Sequence, residues 1–321
     1  MSEDQDILDR PLIPITPIRD RLRFSASAAS KYHNCHASAN LLEAIPGFEF
    51  KEKERAKSRD QGTALHKVLE QVVTHGYDYV KVATMLRSLA DVFGKNRTAL
   101  LQDEKQYLIW CFMGFGEIVL EHEYLSTLLF TIPNKETGEP ELNSTPPKLI
   151  RFLAEAIEYI AQLLEDGGEI LTEATVTANW LQTKPKTTID ILIRKGNVLY
   201  VIDLKAGTMP IPAIENEQLL YYAACFIEDE DDIRLVILQC DNVNEWYITR
   251  EHLFSWMETM KVSEQKILDK DLSFRVGSHC SFCPANPRGR GDRGYPFCPE
   301  QIELLYGAEN DADSDVSILE D

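Results

Sequence analysis

Residues 187–222 read TTIDILIRKGNVLYVIDLKAGTMPIPAIENEQLLYY, and this stretch sets the architecture. Two apolar-rich runs, Ile189 to Ile193 and Val198 to Leu204, flank Lys195-Gly196-Asn197. A two-residue Gly-Asn connection between such runs predicts a β-hairpin. If Lys195 pairs with Val198, facing residues sum to 393, and Asp190 lies opposite Asp203. Facing residues have Cβ atoms about 4.5–5.5 Å apart on one side of the sheet. Lys205 stands two residues beyond Asp203 and shares that side.

Two carboxylates held this close repel unless a cation lies between them. Mg²⁺ or Mn²⁺, hard ions that take oxygen ligands, is the natural occupant. Lys205 beside the ion is placed to orient or deprotonate a water, or to steady a developing negative charge. These are the parts required for metal-assisted attack on a phosphodiester. The plainer reading is a polar sheet edge with a chance pair of acids. Asp-x-Lys alone is common, but on an apolar strand, with a second Asp facing it across a tight hairpin, it is much less so, and the metal reading is preferred.

The chain has 321 residues, enough for one large domain or two small ones, and 44% are hydrophobic, as in ordinary globular proteins. No N-terminal signal peptide is visible, and the most apolar run, Leu108 to Leu120, is short for a bilayer and contains Glu117. A soluble cytoplasmic protein is expected. Seven cysteines in such a setting suggest metal or cluster binding before disulfides. The net charge of −19 is unusual for a nucleic-acid enzyme, but binding depends on local charge. Acid concentrates at Glu228 to Asp232 and from Glu309 to Asp321; base concentrates at Lys51, Lys53, Arg55, Lys57 and Arg59, and at Arg288, Arg290 and Arg293. There is no internal repeat.

Residues 1–24, with Pro11, Pro14 and Pro17, read as an irregular arm. Ser25 to Ala44 reads as a helix containing Cys35, ended by Pro46-Gly47. In the next helical region, Lys51 to Gly76, Leu65, Leu69, Val72 and Val73 form an apolar face. His66 and Glu70 neighbour each other on another face, and Gly62 would admit a close backbone. Taken alone, His66 is a surface or capping histidine; it becomes a ligand only if this helix packs against the hairpin. Residues 79–124 look helical, with Cys111 in an apolar run; 131–147 read as a Pro/Gly loop; Leu149 to Leu164 is an amphipathic helix.

Ile170 to Trp180 is the strand before the hairpin, with Ile170, Ala174, Val176, Ala178 and Trp180 on one side. Glu173 lies on the polar side, where support of the metal and a solvated edge residue are equal readings. Glu215 to Ile227 is a helix on which Gln218 and Tyr222, four apart, share a face. Strands at 233–240 and 245–249 and a helix at 251–268 follow.

Ser278 to Cys298 reads SHCSFCPANPRGRGDRGYPFC. Cys280-x2-Cys283 is the spacing at which two thiolates share one metal or cluster, and Cys298 is a third. Cys111, Cys225 and Cys240 lie in apolar or regular segments, which leaves Cys35 as the best fourth. Four thiolates fit a [4Fe–4S] cluster or zinc, and His33, His36 or His279 could complete a zinc site instead.

With these residues placed, the chain resembles the RecB-like branch of the PD-(D/E)XK nuclease superfamily, and within it the phage-encoded exonucleases related to the CRISPR-associated and helicase-linked enzymes that carry an iron–sulfur cluster. The resemblance runs from Ser25 to Cys298. Gly62-Thr-Ala-Leu-His66 is similar to that branch's Gly-x3-His helix, Ile189-Asp190 and Asp203-Leu-Lys205 to its metal-binding strands, Gln218-Leu-Leu-Tyr-Tyr222 to its Gln-x3-Tyr helix, and Cys35 with Cys280, Cys283 and Cys298 to its split cysteine set. Thr188 stands where relatives often have Gly, and the interval from Cys283 to Cys298 is longer than theirs and rich in arginine and glycine, so that it could touch DNA phosphates.

The resemblance implies a restriction-endonuclease-like mixed α/β sheet flanked by helices. It implies an arm at 1–24, a nuclease domain at 25–305 (helical part 25–168, catalytic core 169–270, cysteine segment 277–300) and an acidic disordered tail at 306–321. His66, Asp190, Asp203 and the Leu204 carbonyl would bind Mg²⁺ or Mn²⁺, Lys205 would activate water, and Gln218 and Tyr222 would steady the DNA strand or Lys205. The cysteines would hold a [4Fe–4S] cluster joining the two ends of the domain, with structural Zn²⁺ as the alternative. The expected activity is exonucleolytic cleavage of DNA, from single-stranded ends, in recombination, repair or phage DNA processing in a bacterial or phage-infected cell. A recombination or single-strand-binding protein is an expected partner. The rival reading is a non-catalytic DNA-end-binding module of a recombination complex that keeps the fold, which the charge of −19 motivates.

Overall fold

The computed structural model describes residues 24–50, 57–102, 129–133, 140–144, 146–207, 209–240, 242–288 and 294–307. The arm before Phe24, the basic residues Lys51, Lys53 and Arg55, Cys111, the excursion containing Arg290 and Arg293, and the acidic tail beyond 307 lie outside the described residues.

The hairpin forms as its sequence dictates. Strands β4 (Lys186–Lys195) and β5 (Val198–Lys205) pair antiparallel from Lys195 with Val198 to Ile191 with Ile202, so facing residues sum to 393. Gly196 supplies the positive φ, +58°, that this connection requires. Strand β3 (Glu169–Thr177) pairs antiparallel with β4 on its other side. After β5 the chain crosses through helix α6 (Glu217–Phe226) into β6 (Asp232–Gln239), which runs parallel to β5, as a helical crossover demands. Strand β7 (Asn242–Thr249) closes the sheet antiparallel to β6, and the order is β3-β4-β5-β6-β7. The fold is mixed α/β, a five-stranded mixed sheet between helical layers, preceded by a helical region.

Strand β5 is apolar almost throughout because both of its faces are covered. Ile202, Tyr200 and Leu204, with Ile191, Ile193, Val236 and Leu238, pack under α3 (Lys57–Thr74), α4 (Tyr79–Gln102) and α5 (Pro147–Leu164). Leu199 and Val201, with Leu192, Ile233, Leu235 and Ile237, pack under α6 and α7 (Arg250–Leu268). Helix α3 presents Leu65, Val68, Leu69 and Val72 to its layer at helical spacing. Helix α6 starts cleanly because Asn216 accepts from the backbone N–H groups of Gln218 and Leu219. Among the described residues no helix is long and apolar enough to cross a membrane.

Three sequence expectations change. Ser25 to Ala44 is not one helix: short helices α1 (Ala29–Asn34) and α2 (Leu41–Ala44) are separated by an extended Cys35 (φ −147°, ψ 100°) and a 3₁₀ turn. Asn and Ser side chains there bond the backbone locally and so compete with continuous helix; Asn34 donates to the Ser30 carbonyl and Ser38 to that of Cys35. The Pro/Gly loop of 131–147 contains a two-stranded antiparallel ribbon, β1 (Leu129–Pro133) with β2 (Pro140–Ser144). Its prolines cap the paired run rather than interrupt it. The helix expected over 79–124 is described as far as Gln102.

Strand β3 also departs from simple alternation. Ile170 packs with the α3–α5 layer but Ala174 with the α6–α7 layer, although positions four apart on a regular strand share a face. Strand β4 does the same, sending Ile189 to one layer and Ile191 to the other. Both strands roll over between the pairs Thr172–Ile191 and Ala174–Ile189, and Glu173 takes a positive φ of +47° there. A left-handed glutamate inside a strand is strained backbone, held by its surroundings.

The segment after α7 folds back onto the short N-terminal helices. Leu41, Ile45, Phe48, Cys283 and Ala285 form a small third core, and Glu49 bridges Tyr295 through two backbone hydrogen bonds of 2.8 and 3.1 Å. Gly294 packs so closely on Phe48 that an added Cβ would fall 2.1 Å from its ring and 2.6 Å from the Glu49 carbonyl. Gly294→Ala is therefore expected to lose about 1–3 kcal/mol in urea unfolding. Unchanged stability would contradict this packing.

Candidate active site

The residues singled out from the sequence converge at the carboxyl end of β5. Both helical layers reach that end: α3 brings His66 from one side, and α6 brings Gln218 and Tyr222 from the other. His66 Nδ1 lies 2.9 Å from Glu173 Oε1 and 3.4 Å from Asp190 Oδ1, and Nε2 lies 3.2 Å from the Leu204 carbonyl oxygen. The other oxygen of Asp190 accepts from the Leu204 backbone N–H at 2.9 Å. The β4–β5 ladder ends at Ile191–Ile202, one pair short of Asp190 and Asp203, and Asp190 bonds the β5 backbone with its side chain.

Asp203 is 1% exposed. Its Oδ1 accepts from Lys205 Nζ at 3.0 Å and from Gln218 Nε2 at 3.1 Å. The Lys205 ammonium is also 2.8 Å from Asp203 Oδ2, an oxygen that is buried and has no hydrogen-bond partner of good geometry. Gln218 Nε2 spends its second proton on the Tyr222 hydroxyl at 2.9 Å. Gly62 does not need to be glycine for close approach, since an added Cβ would meet Ala206 at an ordinary 3.9 Å.

The charges are unbalanced in a way a cation would cure. Burial pushes the Asp190 carboxyl up, and the Asp203 charge pushes it further. Asp203 is raised by burial against the opposing pull of Lys205. Burial works against a charge on His66, yet the Glu173 hydrogen bond and the Asp190 and Glu173 carboxylates outweigh it and raise the imidazole to about 9. Both ring nitrogens face oxygen acceptors, which favours the protonated ring. His66, Glu173 and Asp190 offer ligand atoms within 4.8 Å of one another, and among the described residues they are the group of three that could hold a metal ion. The donor set of imidazole and carboxylate oxygens suits a hard divalent ion.

A cavity of about 430 Å³ opens on this group, lined by Gly62, Thr63, His66, Lys67, Glu70 and Glu173. Of the two readings of Glu173, a metal neighbour and a solvated edge residue, its contact with His66 favours the first. Its signal in the sequence was weak, because an alternating strand gives no hint of the rollover that turns Glu173 toward α3.

The four cysteines form a second centre. Cys35, Cys280, Cys283 and Cys298 line one small pocket with Leu41, Phe274 and Ala285. All four are free thiols. Burial raises Cys280, Cys283 and Cys298, and neighbouring cysteines add to the effect. His279 also lines the pocket, whereas His36 is held by Asp271 at 2.9 Å and His33 faces Glu217 at 3.1 Å, so neither is offered to a metal there. Cys225 and Cys240 pack at the edges of the two main cores, as expected.

The family described as "Protein of unknown function (DUF2800)" matches residues 22–295. No curated protein matches. A solved structure described as "Crystal structure of SSO0001" aligns with 46% of this chain and 66% of that one, just under two thirds, at 19% identity and a TM-score of 0.29.

Proposed function

The chain belongs to the DUF2800 family, and we propose that it is a divalent-metal-dependent deoxyribonuclease of the RecB-like PD-(D/E)XK type, acting on DNA ends. The observation that carries this reading is the buried acid pair Asp190 and Asp203, with His66 on one side and Lys205 on the other, at one strand end. His66, Glu173, Asp190, Asp203 and the Leu204 carbonyl would hold Mg²⁺ or Mn²⁺. Such an ion supplies positive charge that acidifies a water and neutralises the charge developing on the phosphodiester. Lys205 holds its ammonium against Asp203, where Nζ can orient the attacking water or steady the charge developing on the phosphate. Gln218 fixes the Asp203 carboxylate and the Tyr222 hydroxyl by two hydrogen bonds, so that neither turns away.

End-labelled single-stranded DNA with Mn²⁺ tests the reading: stepwise release of nucleotides from one end is expected. Tight binding without cleavage across several divalent ions would instead support a non-catalytic end-binding module, which the charge of −19 favours because a recombination or single-strand-binding partner could supply the positive surface.

Metal binding should be linked to pH. With His66 holding its proton up to about 9, the ion must displace that proton at neutral pH. Mn²⁺ affinity should therefore rise by up to about tenfold per pH unit and level off above 9. Calorimetry in two buffers of different protonation enthalpy reads the proton directly. Binding with no proton release at pH 7 would refute the assignment.

For the cysteine pocket we propose a [4Fe–4S] cluster. Cys35, Cys280, Cys283 and Cys298 line one pocket, and four thiolates suit such a cluster, with structural zinc as the alternative. An absorption band at about 400 nm in anaerobically purified protein, of the kind iron–thiolate clusters give, supports iron. Zinc by elemental analysis, without that band, rejects it.

A further inference from the structure

Cys35 belongs to the cysteine pocket, and the two residues before it touch helix α6, whose Gln218 donates to Asp203. His33 Nδ1 lies 3.1 Å from Glu217 Oε1, and Asn34 Nδ2 donates to the same oxygen at 3.2 Å. The side chain of Glu217 is 15% exposed, and its Oε2 is buried without a hydrogen-bond partner. Nothing about helix α6 itself requires this burial, because Asn216 already caps its first turn. The next residue, Gln218, has both amide protons committed, one to Asp203 and one to Tyr222. Only Asn34 and Glu217 therefore separate Cys35 from the amide that fixes Asp203.

We propose that Glu217 is a positioning residue: through Asn34 and His33 it ties the cysteine pocket to Gln218, so that the state of that pocket sets the placement of Asp203. Loss of what the four cysteines hold frees Cys35, shifts Asn34, and lets Gln218 slip from Asp203. The metal site then weakens although none of its ligands has changed. This second consequence rests on the metal reading given above; the link from Cys35 to Gln218 does not.

The test uses the full chain labelled with ¹⁵N. The Gln218 side-chain amide signals are identified by their loss in Gln218→Glu. Glu217→Ala and Asn34→Ala should each move them, whereas Glu217→Gln, which keeps the oxygen that Asn34 bonds, should leave them near their original positions. An effect of helix-end charge alone would make Glu217→Gln as damaging as Glu217→Ala. Cys35→Ser should move the same signals in the parent chain and have no further effect in the Glu217→Ala background. Unmoved signals in both Glu217→Ala and Asn34→Ala, or a Cys35→Ser shift undiminished in the double variant, would overturn the proposal. Should Glu217→Ala fail to fold, the milder Asn34→Ala takes its place alone and in combination with Cys35→Ser. Mn²⁺ titration separates the two readings: a fall in affinity of about tenfold in Glu217→Ala, within the usual range of coupling between sites, extends the link to the metal. Absence of Mn²⁺ binding by the parent chain would refute the metal site and leave the amide result to decide the coupling.

Discussion

Asp203→Asn should lower metal-dependent DNA cleavage by at least about three orders of magnitude, the scale seen when a key electrostatic group is removed from a site, while leaving the protein as stable as before or more so. The two effects have one cause. Asp203 is 1% exposed and its carboxyl is pushed up by burial, so its charge is carried at the expense of folding. Asparagine keeps the shape and can still accept from Gln218, but it offers a metal no charge. Lys205 loses its ion pair, yet its side chain is 27% exposed and can turn its ammonium to water. Thermal unfolding should therefore move up by a few degrees as cleavage disappears, the trade expected of a group kept for chemistry. Cleavage within tenfold of the parent would remove Asp203 from the mechanism. A collapse in thermal stability would show that Asp203 is a structural ion-pair partner of Lys205 instead.

The hairpin was legible because it rests on local rules, whereas the parallel pairing of β5 with β6 is seen only in the structure. Gly196-Asn197 fixes the register, and register fixes which residues face each other. Helix α6 was legible from its spacing, which put Gln218 and Tyr222 on one face. The site needed more than local rules at two points. Glu173 reaches His66 only because β3 and β4 roll over together, a property of the paired strands and not of either sequence alone. His66 counted as a ligand only on condition that α3 met the hairpin. That condition holds through long-range packing of Leu65, Leu69 and Val72. The break of the first helix at Cys35 was missed for a related reason. Helical spacing of small residues read as continuous, while the side-chain bonds of Asn34 and Ser38 ended it.

That break matters most for the second large effect. Cys280→Ser should abolish the absorption of the proposed cluster and cost several kcal/mol of stability, whereas Cys225→Ser should leave the absorption intact. The segment from Asp269 onward lies against the short N-terminal helices through a small core of Leu41, Ile45, Phe48, Cys283 and Ala285, edged by Ala44, Phe274 and Cys298. Cores this small seldom order a chain segment without a covalent or metal staple. Among the described residues the segment has no strand or long helix, and beyond the Glu49–Tyr295 bridge and the Ala37 bond to the Ser273 carbonyl its backbone bonds include turns such as Cys283 to the Cys280 carbonyl and Cys298 to that of Ala285. A group held by Cys35, Cys280, Cys283 and Cys298, as proposed, would supply binding energy that becomes folding energy, because the ligands are brought together only in the folded chain. Cys225 lies at the edge of the α6–α7 core, where Trp180 donates to its sulfur, and serine there disturbs packing without touching the pocket. Anaerobic absorption spectra, urea unfolding and limited proteolysis read the three consequences separately. In Cys280→Ser, protease cleavage should appear first beyond Leu268, with the sheet and its two main cores still protected. Unchanged stability and protection in that variant would mean the small core holds the segment by itself, and the cysteine pocket would lose its role as the staple joining the two ends of the chain.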